Sequence, residues 1–187
     1  MKKFELTNEF VTNMFGTKLF RIRALVEFGD VEAGELGGYV EKESNLGHDD
    51  NAWVYGDAQV SGDALVCGNA LVYDNAWVYG NARVYGNARV CGDALVCGNA
   101  RVCSDEDYAY AHGFGSVNRT TTFFRLKDGG VGVRCGCFYG TLAQFRDKIR
   151  ETHGETKKAQ EYLMLADLME LRFEEDENEV GNRKYVE

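Results

Sequence analysis

Nine consecutive six-residue units, covering residues 51–104 without insertion, dominate this sequence. Each unit reads Asn or Asp, then Ala, any residue, Val, any residue, and in most units Gly. Because alternate residues of a strand share one side, the Ala and Val positions predict short strands with a common apolar face. Gly, Asn and Asp tolerate the backbone angles of tight corners. The period therefore predicts a solenoid whose coils stack about 4.8 Å apart.

Units such as NAWVYG, NARVYG and DALVCG resemble the hexapeptide repeats of left-handed parallel β-helix proteins. The flanking segments RIRALVEFGDVEAGELGGYVEKESNL and TTFFRLKDGGVGVRCGCFYGTLAQF are similar to those of a hexapeptide-repeat group common in phages and prophages. The resemblance implies a mainly β fold, namely a left-handed parallel β-helix with a small C-terminal α+β domain. It also implies three units per coil, so that residues 18 apart stack on one another.

Four regions follow from the pattern. Residues 1–50 are expected to form an N-terminal cap and an irregular first coil, in which His48 stands where the period would place a Val. Residues 51–104 are the β-helix, and residues 105–173 an α+β domain made of a β-hairpin and two helices. The first helix should open with a capping box formed by Thr141 and Gln144. Residues 174–187 are expected to be an acidic tail.

Aromatic residues occupy outward positions of the repeat and suggest self-association. Contiguous exposed aromatic side chains usually mark an interface, and the resemblance implies a homotrimer with parallel helix axes. The predicted oligomer interface consists of Trp53, Tyr55, Tyr73, Trp77 and Tyr79.

Charge and composition exclude several classes of protein. The net charge of −9 argues against general nucleic-acid binding, because phosphate contacts require a basic surface. Residues 1–20 lack the apolar run of a signal peptide, and no segment is long enough to span a membrane. We therefore expect a cytoplasmic protein, in the host cytoplasm if the chain is phage-encoded, with no membrane contact. Four of the six Cys share a repeat position with Tyr, which favours free thiols, and neither a metal nor another cofactor is predicted.

A basic and hydroxyl-rich stretch after the repeat is the candidate binding region. Guanidinium groups with hydroxyls suit a phosphate, and a neighbouring aromatic plane suits a base. The same residues would also fit ordinary solvated strand positions. The predicted ligand site consists of Arg119, Thr121, Arg125 and Arg134, with Tyr139 and His112 as neighbours.

Three functional hypotheses stay open. The first is a non-enzymatic, phage-type binding protein that acts as a counter-defence factor, either sequestering a host signalling nucleotide or blocking a host defence protein. The second is a CoA-dependent hexapeptide acyltransferase, which needs a His general base; the nine units contain no His and no protruding loop, and His112 is the preferred candidate. The third is a structural component of a phage particle.

Overall fold

The computed structural model describes residues 2–174, so all but the first residue of the predicted acidic tail lies outside the described residues. The strands are β1 Phe4–Thr12, β2 Lys18–Ala24, β3 Leu36–Val40, β4 Trp53–Val54, β5 Gln59–Val60, β6 Leu65–Val66, β7 Leu71–Val72, β8 Trp77–Val78, β9 Arg83–Val84, β10 Arg89–Val90, β11 Leu95–Val96, β12 Arg101–Val102, β13 Tyr108–Phe114, β14 Arg119–Arg125, β15 Val131–Cys135 and β16 Phe138–Thr141. The helices are α1 Leu142–His153 and α2 Lys157–Phe173.

Strands β4 to β12 form a β-solenoid with three parallel faces, and with β3 the stack reaches about four turns. Each of the strands β4 to β9 pairs with the strand 18 residues further on, as in Trp53 with Leu71 and Leu71 with Arg89. The Ala and Val of every unit are buried in one continuous core. The prediction of a mainly β solenoid with three units per coil is confirmed.

The corners follow the residue types of the repeat. The Gly that ends each unit has a positive φ, for example +67° at Gly62. Asp74 takes that place in one unit with a φ of 59°, and its carboxylate accepts a hydrogen bond from the Gly92 amide at 3.0 Å. The side chain therefore joins two neighbouring coils at a corner where Gly is absent.

The first coil is irregular, as predicted, but its register differs from a simple extension of the period. Leu46 bridges to Val66, so Leu46 takes the place in the coil that the period assigned to His48. His48 instead stacks on Phe4 at 4.6 Å and accepts a hydrogen bond from the Lys3 amide. It is a satisfied polar residue at the end of the solenoid.

The N-terminal end of the solenoid presents backbone carbonyls that have no coil below them, because each amide donates to the next coil along the chain. Donors from the first 50 residues satisfy these groups. Asn45 Nδ2 donates to the carbonyls of Gly62 at 3.0 Å and Ala64 at 2.8 Å. Lys3 Nζ donates to the carbonyl of Ala52 at 2.8 Å. These side chains supply the hydrogen-bond donors that the amides of a preceding coil would otherwise provide.

The buried amine of Lys3 predicts a pH-dependent stability. Lys3 is only 3% exposed, and burial lowers its pKa to about 8, with Asp50 and Asp49 opposing the shift. Since the unfolded chain holds this proton more tightly, stability should rise with pH above about 8. We expect the unfolding free energy of the wild type, relative to that of Lys3→Met, to increase by about 2 kcal/mol between about pH 7.5 and about pH 9.5. Urea unfolding at the two pH values measures this change. A difference that stays constant, as expected for the control Lys127→Met at an exposed position, would contradict this.

The C-terminal end of the solenoid presents the opposite groups, namely unpaired amides. Acceptor side chains from the following residues bind them. Asp105 Oδ1 accepts from the Arg89 amide at 2.7 Å, Asp107 Oδ2 from the Cys103 amide at 2.9 Å and Thr122 Oγ1 from the Leu95 amide at 2.9 Å. The C-terminal region therefore begins as a cap on the last coil.

The C-terminal domain is a four-stranded antiparallel sheet, β13 to β16, covered by two helices. It contains two strands more than the predicted hairpin. Phe124 on one face joins the solenoid core, and Phe123 on the other meets Phe145 of α1 at 6.0 Å, edge to face. The sheet is therefore covered on both faces, by the solenoid and by the helices. The Thr141–Gln144 capping box that opens α1 is confirmed.

Within residues 2–174, no helix is long and apolar enough to cross a membrane.

Candidate functional site

The strand register separates the residues of the predicted ligand site onto two faces of the C-terminal sheet. Arg119, Thr121 and Arg125 alternate along β14 and share the face beneath the helices. Arg134 pairs with Tyr139 and lies on the opposite face, towards the solenoid. The prediction that these side chains form one cluster is therefore wrong, because neighbouring paired strands place them on both sides of the sheet.

Thr121 and Arg125 are buried structural residues. Thr121 is 1% exposed, and its hydroxyl donates to Cys135 Sγ at 3.2 Å. Arg125 is 4% exposed, donates to the Gly129 carbonyl at 3.1 Å and stacks over the Phe173 ring at 5.3 Å. The assignment of these two residues to an open ligand site is corrected.

Arg134, Tyr139 and His112 lie apart from Arg119. Arg134 donates to the Cys137 carbonyl at 3.3 Å and adjoins Cys97. Burial raises the pKa of the Cys97 thiol, and Tyr79 and Arg134 partly oppose this shift. Tyr139 covers Gly98 of the solenoid, where an added Cβ would come within 2.0 Å of its hydroxyl. His112 is exposed and hydrogen-bonds Thr120 Oγ1 at 2.9 Å.

Arg119 lines a different cavity, of about 240 Å³, between the ends of β14 and β15 and the inner side of α1. We name it the Arg119 pocket. Its lining has three parts: the rings and aliphatic side chains of Phe138, Phe145, Ile149 and Tyr162; the small polar groups of Ser116, Thr152, Cys135 and Cys137; and the basic side chains of Arg119, Lys148 and His153.

The back of the Arg119 pocket is fixed by Tyr162 of α2. Its hydroxyl accepts a hydrogen bond from the Ser116 amide at 3.4 Å, and its ring stacks on His153 at 5.9 Å. Burial raises the pKa of Tyr162, so the hydroxyl stays protonated and able to donate at neutral pH. The wall is therefore an aromatic surface with a fixed polar tip.

The front of the pocket depends on the turn between β15 and β16. An added Cβ at Gly136 would lie 1.6 Å from Arg119 Nη1, so the guanidinium rests directly on the backbone of this turn. Only Gly permits this approach, and the φ of 58° at Gly136 favours Gly for a second reason. Cys135 and Cys137 flank it, the first half-buried and the second exposed.

The electrostatic character of the Arg119 pocket is opposite to that of the whole chain. Three basic side chains line it and no Asp or Glu does, although the chain carries a net charge of −9. The Arg119 guanidinium makes no ion pair with any carboxylate of residues 2–174. The site can therefore offer charged donors to an anion beside an apolar wall that suits a ring.

Sequence reasoning found Arg119 but missed most of its surroundings. Phe145, Lys148, Ile149, Thr152 and His153 recur at helical spacing on α1, which places them on one side of the helix. This pattern could have identified a mixed basic and apolar helix face. The contribution of Tyr162 has no such local signal, because it reaches the pocket from the next helix.

The aromatic residues predicted to form an oligomer interface are less exposed than expected. Trp53 is 0% exposed, because it lies on the edge strand β4 and is covered by Phe28 at 5.3 Å and Phe4 at 6.2 Å. Its assignment to an exposed interface is therefore wrong. The remaining four residues are half-buried: Tyr55, Tyr73, Trp77 and Tyr79.

All six cysteines are free thiols in this structure. Among the described residues, no group of three or more His, Cys, Asp or Glu side chains is arranged to hold a metal ion.

The fold defines a β-solenoid protein whose last coil is capped by a small α+β domain. Residues 64–80, 76–92 and 82–98 match the YdcK β-solenoid repeat, to which this solenoid is similar. Comparison with the curated proteins gives no match. The match covers the repeat alone, and the Arg119 pocket lies outside it.

Proposed function

We propose that this protein is a non-enzymatic binding protein whose C-terminal domain holds a small anionic ligand in the Arg119 pocket. The observation that carries the proposal is a cavity lined by Arg119, Lys148 and His153 and by no carboxylate, in a strongly acidic chain. An anion that enters the pocket gains charged donors without facing a negative side chain.

The volume of the pocket limits the size of the ligand. At about 240 Å³, it is smaller than the roughly 300–1,000 Å³ of pockets that enclose drug-sized ligands. A single ring with one anionic group fits this space, and a nucleoside monophosphate is the upper limit. If the protein sequesters a host signalling nucleotide as a counter-defence factor, the pocket favours a mononucleotide over a dinucleotide.

Replacement of Arg119 tests this function. We expect phenyl phosphate and AMP to bind the wild type in calorimetric titration, and Arg119→Gln to weaken binding about 10- to 100-fold, because a charged hydrogen bond contributes about 1.5–3 kcal/mol. The control Arg150→Gln removes an exposed guanidinium that pairs with Asp147 outside the pocket and should leave binding unchanged. Absence of heat for both anions, or equal losses in both variants, would refute the proposal.

We also propose that the solenoid mediates self-association, with a trimer as the expected state. Trp77 and Tyr79 support this role, because both keep part of their surface exposed on the face that continues into the N-terminal hairpin formed by β1 and β2. Phe15 at the tip of the hairpin packs near Tyr79 at 5.8 Å and is itself 57% exposed. Apolar surface that is continuous over two elements is typical of an interface.

A further inference from the structure

The Arg119 pocket contains two thiols that the binding of an anion does not use. Cys135 is the last residue of β15 and pairs with Phe138, so Gly136 and Cys137 form the short turn that leads into β16. Both cysteine side chains line the same cavity. Cys135 is half-buried and Cys137 is exposed, so one thiol is open to reagents in solution and the other is sheltered.

The turn places the two thiols close enough for a disulfide bond. Residues separated by one position have Cα atoms at most about 7 Å apart even in an extended chain, and a turn shortens this distance. Disulfide bonds join Cα atoms that are about 4.4–6.8 Å apart. Because both side chains line one cavity of about 240 Å³, a change in the turn alone brings the sulfur atoms together. A disulfide within so short a loop is strained and is therefore readily reduced again.

The sheltered thiol has a fixed position in the pocket. The Thr121 hydroxyl donates to Cys135 Sγ at 3.2 Å, and this Sγ in turn donates to the Tyr162 hydroxyl at 3.9 Å. Both partners are buried. Cys135 is therefore held beside the exposed Cys137, where it can attack a disulfide that forms on that residue.

The basic lining of the pocket favours an acidic reagent for the thiols. Arg119, Lys148 and His153 line the same cavity as both cysteines, and no Asp or Glu does. Positive groups around a cleft raise the local concentration of anions. Glutathione disulfide, the oxidised form of a small thiol that carries carboxylates, has the matching charge.

Gly136 connects the thiols to the anion-binding group. An added Cβ at Gly136 would lie 1.6 Å from Arg119 Nη1 and 2.7 Å from its Cζ, so the guanidinium rests on the turn backbone between the two cysteines. Drawing Cys137 towards Cys135 changes the backbone angles of Gly136 and so alters this support. Oxidation of the thiols therefore displaces Arg119.

We propose that Cys135 and Cys137 form a reversible disulfide by exchange with glutathione disulfide, and that this disulfide weakens anion binding in the Arg119 pocket. The second part rests on the proposed function. First, the Cys137 thiolate attacks one sulfur of glutathione disulfide, so that a mixed disulfide forms and one glutathione leaves as a thiolate. The Cys135 thiolate then attacks Cys137 Sγ and displaces the second glutathione. The two protein thiols lose two electrons, glutathione disulfide gains them, and the thiol protons pass to the released glutathione molecules.

Treatment of the full chain with glutathione disulfide tests the thiol pair. We expect peptide mapping by mass spectrometry to find Cys135 linked to Cys137, and excess reduced glutathione to restore both thiols. Cys135→Ser should instead accumulate glutathione on Cys137, because the second step is lost. The control Cys67→Ser removes a half-buried thiol of the solenoid and should react as the wild type does. A stable glutathione adduct on Cys137 of the wild type, or no link between the two residues, would overturn the proposal.

Calorimetric titration with phenyl phosphate tests the effect on binding. We expect the oxidised wild type to bind about 5- to 100-fold more weakly than the reduced protein, which is the usual range of coupling between two sites. The same treatment of Cys137→Ser, which cannot form the disulfide, should leave its affinity unchanged. Equal affinities of the oxidised and reduced wild type would overturn the proposal. Failure of phenyl phosphate to bind the reduced protein in an Arg119-dependent manner would instead refute the proposed function and its control by oxidation, whereas a mapped disulfide would stand.

Discussion

Replacing Asn45 with Ala is expected to lower the free energy of unfolding by about 3–4 kcal/mol, because it leaves several buried backbone groups unsatisfied. Asn45 is 0% exposed, and its amide donates to the carbonyls of Gly62 and Ala64. Its Oδ1 accepts from the Lys42 amide at 2.9 Å. One side chain therefore serves three backbone groups at the open edge of the first coil.

Urea unfolding monitored by circular dichroism measures this effect. Asn8→Ala is the matched control, because Asn8 lies exposed on β1 and should change stability by no more than about 0.5 kcal/mol. If both variants lose the same stability, then the edge is satisfied by other groups and Asn45 is not its essential donor.

The second large effect is expected at Trp53. Trp53→Ala should cost about 3–5 kcal/mol, because it removes a fully buried ring on which Phe4 and Phe28 pack. Trp77→Ala makes the same change at the same repeat position four units further along the chain, on a different face of the solenoid, where the ring is only partly buried. We expect it to cost less than half as much, since less apolar surface is lost.

The same pair of variants separates folding from assembly. Under the proposed self-association, Trp77→Ala should weaken the oligomer in sedimentation measurements, whereas folded Trp53→Ala should assemble as the wild type does. Wild-type protein that is monomeric at micromolar concentration would refute the self-association proposal. Equal destabilisation by both substitutions would contradict the packing difference between the two tryptophans.

The repeat was predictable because each six-residue unit contains the residues that determine its own strand and corner. Ala, Val and a corner residue recur with a fixed period, so the register of Trp53 on Leu71 follows from counting. The ends of the solenoid lack this information. Asn45 and Lys3 act on carbonyls that are 17 to 49 residues away in sequence, and nothing in their immediate neighbourhood identifies them as strand-edge donors.

The candidate site was only partly predictable for a related reason. Alternation along β14 correctly placed Arg119 and Thr121 on one face. It could not show that α1 and α2 cover part of that face, burying Arg125 while leaving Arg119 at the rim of a cavity. Exposure at each end of one strand depends on where the helices stop, which is a tertiary property.

The opposite polarity of the two solenoid ends has a consequence for polymer growth. One end offers carbonyls and the other offers amides at the same strand spacing, so two uncapped stacks would be complementary templates for each other. Side chains of the same chain form hydrogen bonds with these end groups: Asn45 and Lys3 at one end, and Asp105, Asp107 and Thr122 at the other. These capping side chains prevent further stacking at both ends. A repeat that could otherwise extend into a fibre therefore forms a discrete solenoid of about four turns.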